Sequence, residues 1–343
     1  MSGTSLDGLD VVYARFWGKR DSPNYEILYA ESVPYDDFWR DKLRNSFYLN
    51  AEGITALDAE YGRFLGMEVR NFAQKYDISD KVDFVASHGH TVFHRPDLGY
   101  NLQIGNGAWL HAVSGFKVIC DFRTLDIAYG GQGAPLVPTG DKLLFGQYDY
   151  CLNIGGFANL SFDDARHSRV AYDICPANYC LNRLMRTRGQ EYDKDGLVAR
   201  SGKLNAALFD ALNALEYYHR QPPKSLAQEW VDAEMTPLID CCRDTFENIA
   251  ATLTEHAAFQ ISQNIKENNS VLVTGGGAYN IFLIERVLEY KKINLIKPAS
   301  IIIDFKEALI FAFLGLLRAE GLTNCLKTVT GADRNTVSGQ IYG

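Results

Sequence analysis

The sequence predicts an α/β protein built as two lobes. Three observations predict it. At 343 residues the chain is longer than one hydrophobic core usually organises. A pattern of short strands followed by helices runs from the N-terminus and starts again near residue 150, as in a duplicated architecture. Three glycine-rich turns adjoin short strand segments, at residues 2–8, 153–159 and 274–278.

Residues 10–16 and 25–33 read as strands around a polar turn with Gly and Pro, a hairpin. Residues 35–48 and 55–76 read as helices, the second with Leu57, Tyr61, Phe64, Leu65 and Val69 at helical spacing. Residues 82–86 and 116–120 are short apolar strands that end at Ser87-His88-Gly89 and Asp121-Phe122-Arg123, and residues 130–138 are a loop before a helix. In the second half, 150–154, 160–162 and 170–172 are strands, and a helix begins after Pro176. Residues 203–218 and 238–266 read as helices, 271–273 as a strand, 279–289 as a helix and 306–319 as the last strong helix. The lobes expected are residues 1–140 completed by 308–343, and residues 141–307.

Composition excludes several classes. Hydrophobic residues make up 47% and charged residues 22%, the balance of a globular protein rather than a disordered one. No apolar run is long enough to span a bilayer, and no basic segment followed by an apolar one marks a signal peptide. A net charge of −8 without a Lys/Arg cluster argues against nucleic-acid partners. Seven cysteines, an odd number with no repeated CxxC, read as reduced thiols in a cytoplasmic protein.

The glycine turns are the chemical signal. Phosphates need backbone N–H groups aimed at them with no Cβ in the way, and a following helix N-terminus adds a favourable dipole. Each turn alone is equally a tight bend at a sheet edge; three in this order point to a nucleotide. The chain carries no GxxxxGK[ST], no GxGxxG after a strand and no protein-kinase catalytic loop, so the site is of another type.

The segments Met1-Ser2-Gly3-Thr4-Ser5-Leu6-Asp7-Gly8-Leu9-Asp10, Ser87-His88-Gly89-His90-Thr91-Val92, Leu102-Gln103-Ile104-Gly105 and Asp121-Phe122-Arg123-Thr124-Leu125-Asp126-Ile127-Ala128 resemble those of anhydro-N-acetylmuramic acid kinases. Gly130-Gly131-Gln132-Gly133-Ala134-Pro135-Leu136-Val137-Pro138, residues 152–160, Gly275 to Asn280 and Thr328-Val329-Thr330-Gly331-Ala332 complete a resemblance that covers nearly the whole chain. It implies a two-lobed actin-like, hexokinase-like ATPase fold (a duplicated ribonuclease H-like fold) with a central nucleotide cleft. It also implies ATP and Mg2+ as cofactors and a 1,6-anhydro-muramic sugar from cell-wall recycling as substrate; a homodimer is a further expectation. The chain departs from the family pattern at His90, at Asp173-Ile174-Cys175-Pro176-Ala177-Asn178 and at residues 223–229. The resemblance further implies a strand ahead of the Met1 loop, inside the first sheet. A start codon assigned too late or a trimmed chain is the expectation, and without that strand a gap of roughly 9–10 Å should flank residues 10–16 unless another segment fills it.

The phosphate-binding set expected is Gly3, Thr4, Ser5, Asp7, Gly8, Asp10, Asn153, Gly155, Gly156, Gly275, Gly276 and Gly277. Asp173 is the candidate catalytic base: at the end of a strand and just ahead of a helix N-terminus, its charged form is favoured. From the residues alone it is equally an N-cap; the resemblance tips it to catalysis. Glu307 is a second carboxylate, at the start of a helix, where it equally serves the dipole. His88, Gln103, Arg123, Asp126 and Gln132 are the substrate-binding candidates, with Arg123 and Asp126 either holding a sugar carboxylate and hydroxyl or forming a surface ion pair. His88, His90 and His94 have a spacing that suits zinc, which leaves a metallohydrolase as one alternative; a catalytically impaired actin-like binding protein is another. Glu255, on the 238–266 helix, reads as solvated.

Overall fold

The structure is a computed structural model that describes residues 1–3 and 6–343; the expectations for Thr4 and Ser5 lie outside the described residues. The chain divides into two compact units, Met1–Leu144 with Phe305–Gly343, and Phe145–Asp304.

The first unit opens with β1 (Gly8–Lys19) and β2 (Ser22–Pro34), an antiparallel hairpin whose register shifts between Tyr13 and Ala14. Two helices follow, α1 (Asp37–Asn45) and α2 (Ala51–Lys75). They start where the sequence offers caps: Asp36 accepts the amide of Trp39, and Asn50 that of Gly53. The buried stripe of α2 includes Leu57, Tyr61, Phe64 and Leu65, the spacing read from sequence. Next come β3 (Val85–Ala86), β4 (His90–Arg95), β5 (Tyr100–Ile104), α3 (Gly107–Ser114), β6 (Val118–Cys120), α4 (Thr124–Ala128) and α5 (Val137–Leu144). The β4–β5 hairpin is a feature the sequence reading missed, because its apolar and polar residues do not alternate cleanly across His90 to Arg95. His90 and His94 belong to the first strand of this hairpin.

The second unit is built on one five-stranded sheet. β7 (Tyr150–Ile154), β8 (Phe157–Asp163) and β9 (Arg169–Pro176) form an antiparallel meander. After α6 (Asn178–Arg186), α7 (Leu197–Ser201) and α8 (Ala206–Asn213), the chain makes α9 (Gln228–Trp230), a π-turn and α10 (Thr236–Cys241). The predicted 238–266 helix is thus two. The chain breaks at Cys242, and Thr245 caps α11 (Phe246–Gln263) by accepting the amide of Asn248. β10 (Ser270–Thr274), α12 (Ile281–Tyr290) and β11 (Asn294–Ile296) complete the unit, in the sheet order β11-β10-β7-β8-β9 with β10 parallel to both neighbours. Ile154, Leu160, Ile174, Ala258, Ile261 and Val273 form its core. Glu255 is buried, contrary to expectation, and pairs with Arg286 at 2.5 Å and with the Tyr290 hydroxyl at 3.0 Å.

α13 (Ser300–Ala319) leads back to the first unit, followed by α14 (Lys327–Thr330) and β12 (Gln340–Tyr342). β12, β6 and β3 form a three-stranded sheet, β6 parallel to β3 and antiparallel to β12. Among the described residues β1 pairs only with β2, apart from a bridge between Ser2 and Leu9, and β3 pairs only with β6. A cavity of about 460 Å³ lies between these two edges, lined by residues of both. No described helix is long and apolar enough to cross a membrane, and all seven cysteines are free.

Candidate active site

In the second unit, β7 and β10 are parallel and in register, Thr274 opposite Asn153, so the turns that follow them emerge at the same end of the sheet. This brings together two glycine turns more than a hundred residues apart in sequence. Gly275 makes the approach possible. It has φ +81°, and a Cβ there would lie 2.7 Å from Asn153 Oδ1 and 2.8 Å from the Ile154 carbonyl oxygen. Gly156 and Gly276 are different: both are exposed, and a side chain at either would meet nothing closer than 3.9 Å. Their backbone is open to a ligand. The Gly155 and Gly156 carbonyls accept the amides of Asn178 and of Ala177 and Tyr179, which fastens the turn to the start of α6. Gly275→Ala is expected to cost about 1–3 kcal/mol, because its backbone conformation is one an L side chain resists and two of the three nearest atoms are backbone. Urea denaturation checks this, and nucleotide binding should weaken with it.

The register produces a row of polar residues across the sheet. Thr274 faces Asn153, Asn153 faces Asn159, and Asn159 faces Asp173, from β10 through β7 and β8 to β9. Directly opposed residues share a face, with about 5 Å between neighbours. The sequence reading had these four in three separate segments, Asn153 and Asn159 in one of them; only pairing aligns them.

Asp173 sits inside β9, which runs on to Pro176, and the next helix begins at Asn178. The expected stabilisation of its charge by a helix N-terminus is therefore corrected: burial dominates and raises its carboxyl above the usual range, with the Leu226 amide opposing. That amide donates to Oδ2 at 2.8 Å, the Asp173 amide donates to the Lys224 carbonyl at 3.3 Å, and the Tyr217 hydroxyl donates to the Asp173 carbonyl at 2.6 Å. Residues 217–226 thus wrap the aspartate; Lys224 and Leu226 belong to the 223–229 segment that departs from the family pattern, while Tyr217 was not singled out. Burial lowers the Lys224 pKa and pushes that of Tyr217 upward.

In the first unit the Met1 amine donates to the Asp10 carbonyl at 2.6 Å, and the Asp10 amide donates to the Met1 carbonyl at 2.9 Å. Gly3 and Leu6 flank the undescribed pair, and Asp7, the next residue, is exposed to solvent. Gly8 is required by packing, since a Cβ would lie 2.5 Å from the Val33 carbonyl oxygen. Ser2 anchors the loop inward: its hydroxyl is 3.0 Å from His90 Nδ1 and accepts the Tyr35 hydroxyl at 2.7 Å, and Tyr35 in turn meets Tyr61 at 2.5 Å. Burial brings the His90 pKa down to about 4.

Arg123 does not pair with Asp126. Its Nε and Nη2 lie 3.2 and 2.9 Å from His88 Nε2, and its Nη1 donates to the Gly133 carbonyl at 2.6 Å. Nε2 of His88 therefore accepts, and Nδ1 donates to the Gly89 carbonyl at 3.0 Å. Burial, then the Arg123 charge, holds this imidazole neutral. Asp126 is fully buried and cannot touch a substrate, nor is it part of a surface pair. It accepts the Gly133 amide at 2.8 Å, the Thr330 hydroxyl at 2.8 Å and the Cys325 thiol at 3.1 Å. Gln132 is exposed on the loop so held, and Gln103 is half-buried on β5 with its amide 3.4 Å from the Thr91 hydroxyl. Among the described residues no three His, Cys, Asp or Glu side chains are placed to hold a metal together, and the zinc reading of His88, His90 and His94 is not favoured.

Glu307 lies in the body of α13, eight residues in, rather than at a helix start. Its side chain is open to solvent yet surrounded by protein matter, which raises its carboxyl; Arg123 and the Met1 amine oppose that shift, and Asp10 adds to it. Lys306 and Asp141, both buried, form an ion pair of 2.9 Å beside it that the sequence reading did not single out.

The model of the anhydro-N-acetylmuramic acid kinase family matches residues 1–343. The chain belongs to that family. The anhydro-N-acetylmuramic acid kinase of Saccharophagus degradans is 33% identical, covering 100% of this chain and 97% of its own. Those of Bordetella pertussis and Pseudomonas fluorescens are 35% and 31% identical, over all of this chain and 94% and 98% of theirs. Among solved structures, the activator of 2-hydroxyisocaproyl-CoA dehydratase from Clostridium difficile is 14% identical over 64% of this chain and 88% of its own, with a TM-score of 0.33, too low to bear on fold or ligand. Within the family frame, the polar row and the Arg123–His88 pair are features that no single motif carries.

Proposed function

We propose that this chain is an ATP-dependent kinase that opens the 1,6-anhydro ring of anhydro-N-acetylmuramic acid with water and phosphorylates the freed O6. The product would be N-acetylmuramic acid 6-phosphate, an intermediate of cell-wall recycling. The observation that carries the reaction class is the family match along the whole chain, together with relatives of that name at 31–35% identity.

The anhydro bridge joins C1 to O6, so O6 has no proton to lose and is a poor nucleophile. Asp173 takes a proton from a water molecule whose oxygen attacks C1. The C1–O6 bond breaks, the other water proton stays on the new C1 hydroxyl, and O6 accepts the γ-phosphoryl group as ADP departs. The open backbone at Gly156 and Gly276 supports phosphate binding by the second unit, with Asn153 beside it. Arg123, held by His88 and the Gly133 carbonyl, presents a fixed cation for the sugar's carboxylate, with Gln132 and Gln103 as hydrogen-bonding partners. Mg2+ asks for one or two carboxylates and takes its other ligands from phosphates and water. Asp10 and Glu307, two carboxylates of the first unit with the Asp10 charge bearing on Glu307, would supply them. Bound there, the ion would neutralise phosphate charge.

In ¹⁸O-water the label is expected on C1 of the product, sampled before anomeric exchange, with none in the phosphate ester. Label in the ester, or ATP consumption that no anhydro-sugar stimulates, would overturn the reading.

A further inference from the structure

The second unit holds a buried histidine that the proposed reaction leaves unused. His256 lies on α11, almost fully enclosed, and both of its ring nitrogens are engaged. Nδ1 is 2.9 Å from Asn213 Oδ1, at the end of α8, and Nε2 is 2.9 Å from the Tyr218 hydroxyl. Gln260, one turn further along α11, donates its amide to the same Asn213 oxygen at 2.7 Å.

These partners fix the protons. Asn213 donates Nδ2 to the Phe209 carbonyl at 2.8 Å and receives the Gln260 amide, so the atom it turns to the imidazole is its oxygen. Nδ1 therefore carries the hydrogen, and Nε2 accepts from Tyr218. Burial keeps the ring neutral, with its pKa brought down to about 3. A network closed in this way holds one arrangement, where an apolar contact of the same size would leave the angle of the tyrosine free.

The held segment is the one that carries Tyr217. Residues 216–219 form a single helical turn. Tyr218 reaches back to α11, and its neighbour Tyr217 donates to the Asp173 carbonyl at 2.6 Å. The Tyr217 carbonyl accepts the Lys224 amine at 3.3 Å, and that amine lies 4.7 Å from the centre of the Tyr217 ring. α11 also packs on β9, since Ala257 and Ile261 share a core with Ile174, the residue after Asp173. Strand and turn are thus set against one helix, the strand by apolar packing and the turn through His256.

We propose that His256 is a positioning residue for the reaction: by fastening Tyr218 to α8 and α11 it fixes the turn from which Tyr217 holds Asp173, a role that rests on the reading of Asp173 as the base. Enclosed as it is, the imidazole acts through the two tyrosines and not on the substrate.

The test is steady-state kinetics of the full chain with ATP and the anhydro-sugar. His256→Phe keeps a planar ring and loses both hydrogen bonds. It should lower kcat about 10–100-fold, the cost of displacing a reacting group on the order of 1 Å, and leave the KM for ATP unchanged. Tyr218→Phe, which removes one hydroxyl, should lower kcat in the same way, and it serves if His256→Phe misfolds. Combining the two should lower kcat no further than His256→Phe alone, as for members of one network. In an Asp173→Asn background, His256→Phe should change the residual kcat by less than about twofold, because no base is left to position. An undiminished kcat in both single variants, a loss that falls on the KM for ATP, or the same fold-loss with and without Asp173 would overturn the positioning role and leave Asp173 as the base. Full turnover by Asp173→Asn alone would instead overturn the reading on which the proposal rests.

Discussion

Replacing Asp173 with asparagine is expected to lower kcat by about 10²–10⁴-fold, the contribution of a well-placed general base, and to leave the KM for the sugar near its wild-type value. Asparagine keeps the size of the side chain and an oxygen for the Leu226 amide, and the Tyr217 and Lys224 contacts are to the backbone of residue 173. What is lost is basicity, which acts in the transition state and not in ground-state binding. The pH profile adds a second reading. A base must be ionised, and burial raises this carboxyl, so the acid limb of the wild-type profile should lie above the ordinary carboxylate range. That limb should vanish in the residual activity of Asp173→Asn.

Stability should move the other way. A carboxyl whose folded pKa is raised favours folding when protonated. Its contribution is present at low pH and is lost as pH rises through the folded pKa. Asparagine is never ionised, so at neutral pH the variant should melt at a slightly higher temperature than the wild type. Turnover within threefold of wild type would remove Asp173 from the role of base. A variant that also failed to bind sugar would show a positioning residue instead.

The same residue shows where the sequence was legible and where it was not. That Asp173 stands near a strand-to-helix junction could be read from the apolar run and Pro176. That the strand continues three residues further could not, because Ile174 and Cys175 suit either state and only their pairing with β8 decides. The sign of the pKa effect turned on that difference. Glycine turns were legible as turns, but pairing alone distinguishes Gly275, held against Ile154, from Gly276, which is open. Long periodic helices such as α2 were found within a few residues. The 238–266 helix was drawn through a break because Asp244 and Thr245, the residues that form and cap the turn, are tolerated inside helices. Charged residues were judged hardest by local context, and Glu255 and Asp126 are buried for reasons that lie 31 and about 200 residues away in Arg286 and Thr330.

Asp126→Ala is expected to be the most damaging substitution for stability, with a loss on the order of 2–6 kcal/mol from two buried donors left without their acceptor. The carboxylate is fully enclosed and joins α4 to the Gly133 amide on one side and to Cys325 and Thr330 on the other. Alanine leaves the Gly133 N–H and the Thr330 hydroxyl without that acceptor, each at about 1–3 kcal/mol, in a space too small to relax freely. Asparagine is milder, since its oxygen can still take the Gly133 amide while its NH2 faces the Thr330 hydroxyl, which can turn to accept. The order wild type, Asn, Ala should therefore appear in urea midpoints at constant m. Kinetics should follow the same order by a separate route. The Gly133 carbonyl holds Arg123, so a loosened loop frees the guanidinium and raises the KM for a carboxylate-bearing sugar more than it lowers kcat. An alanine variant within 1 kcal/mol of wild type, or one whose loss falls on kcat alone, would show that the loop is held by its own backbone and that Asp126 is dispensable to it.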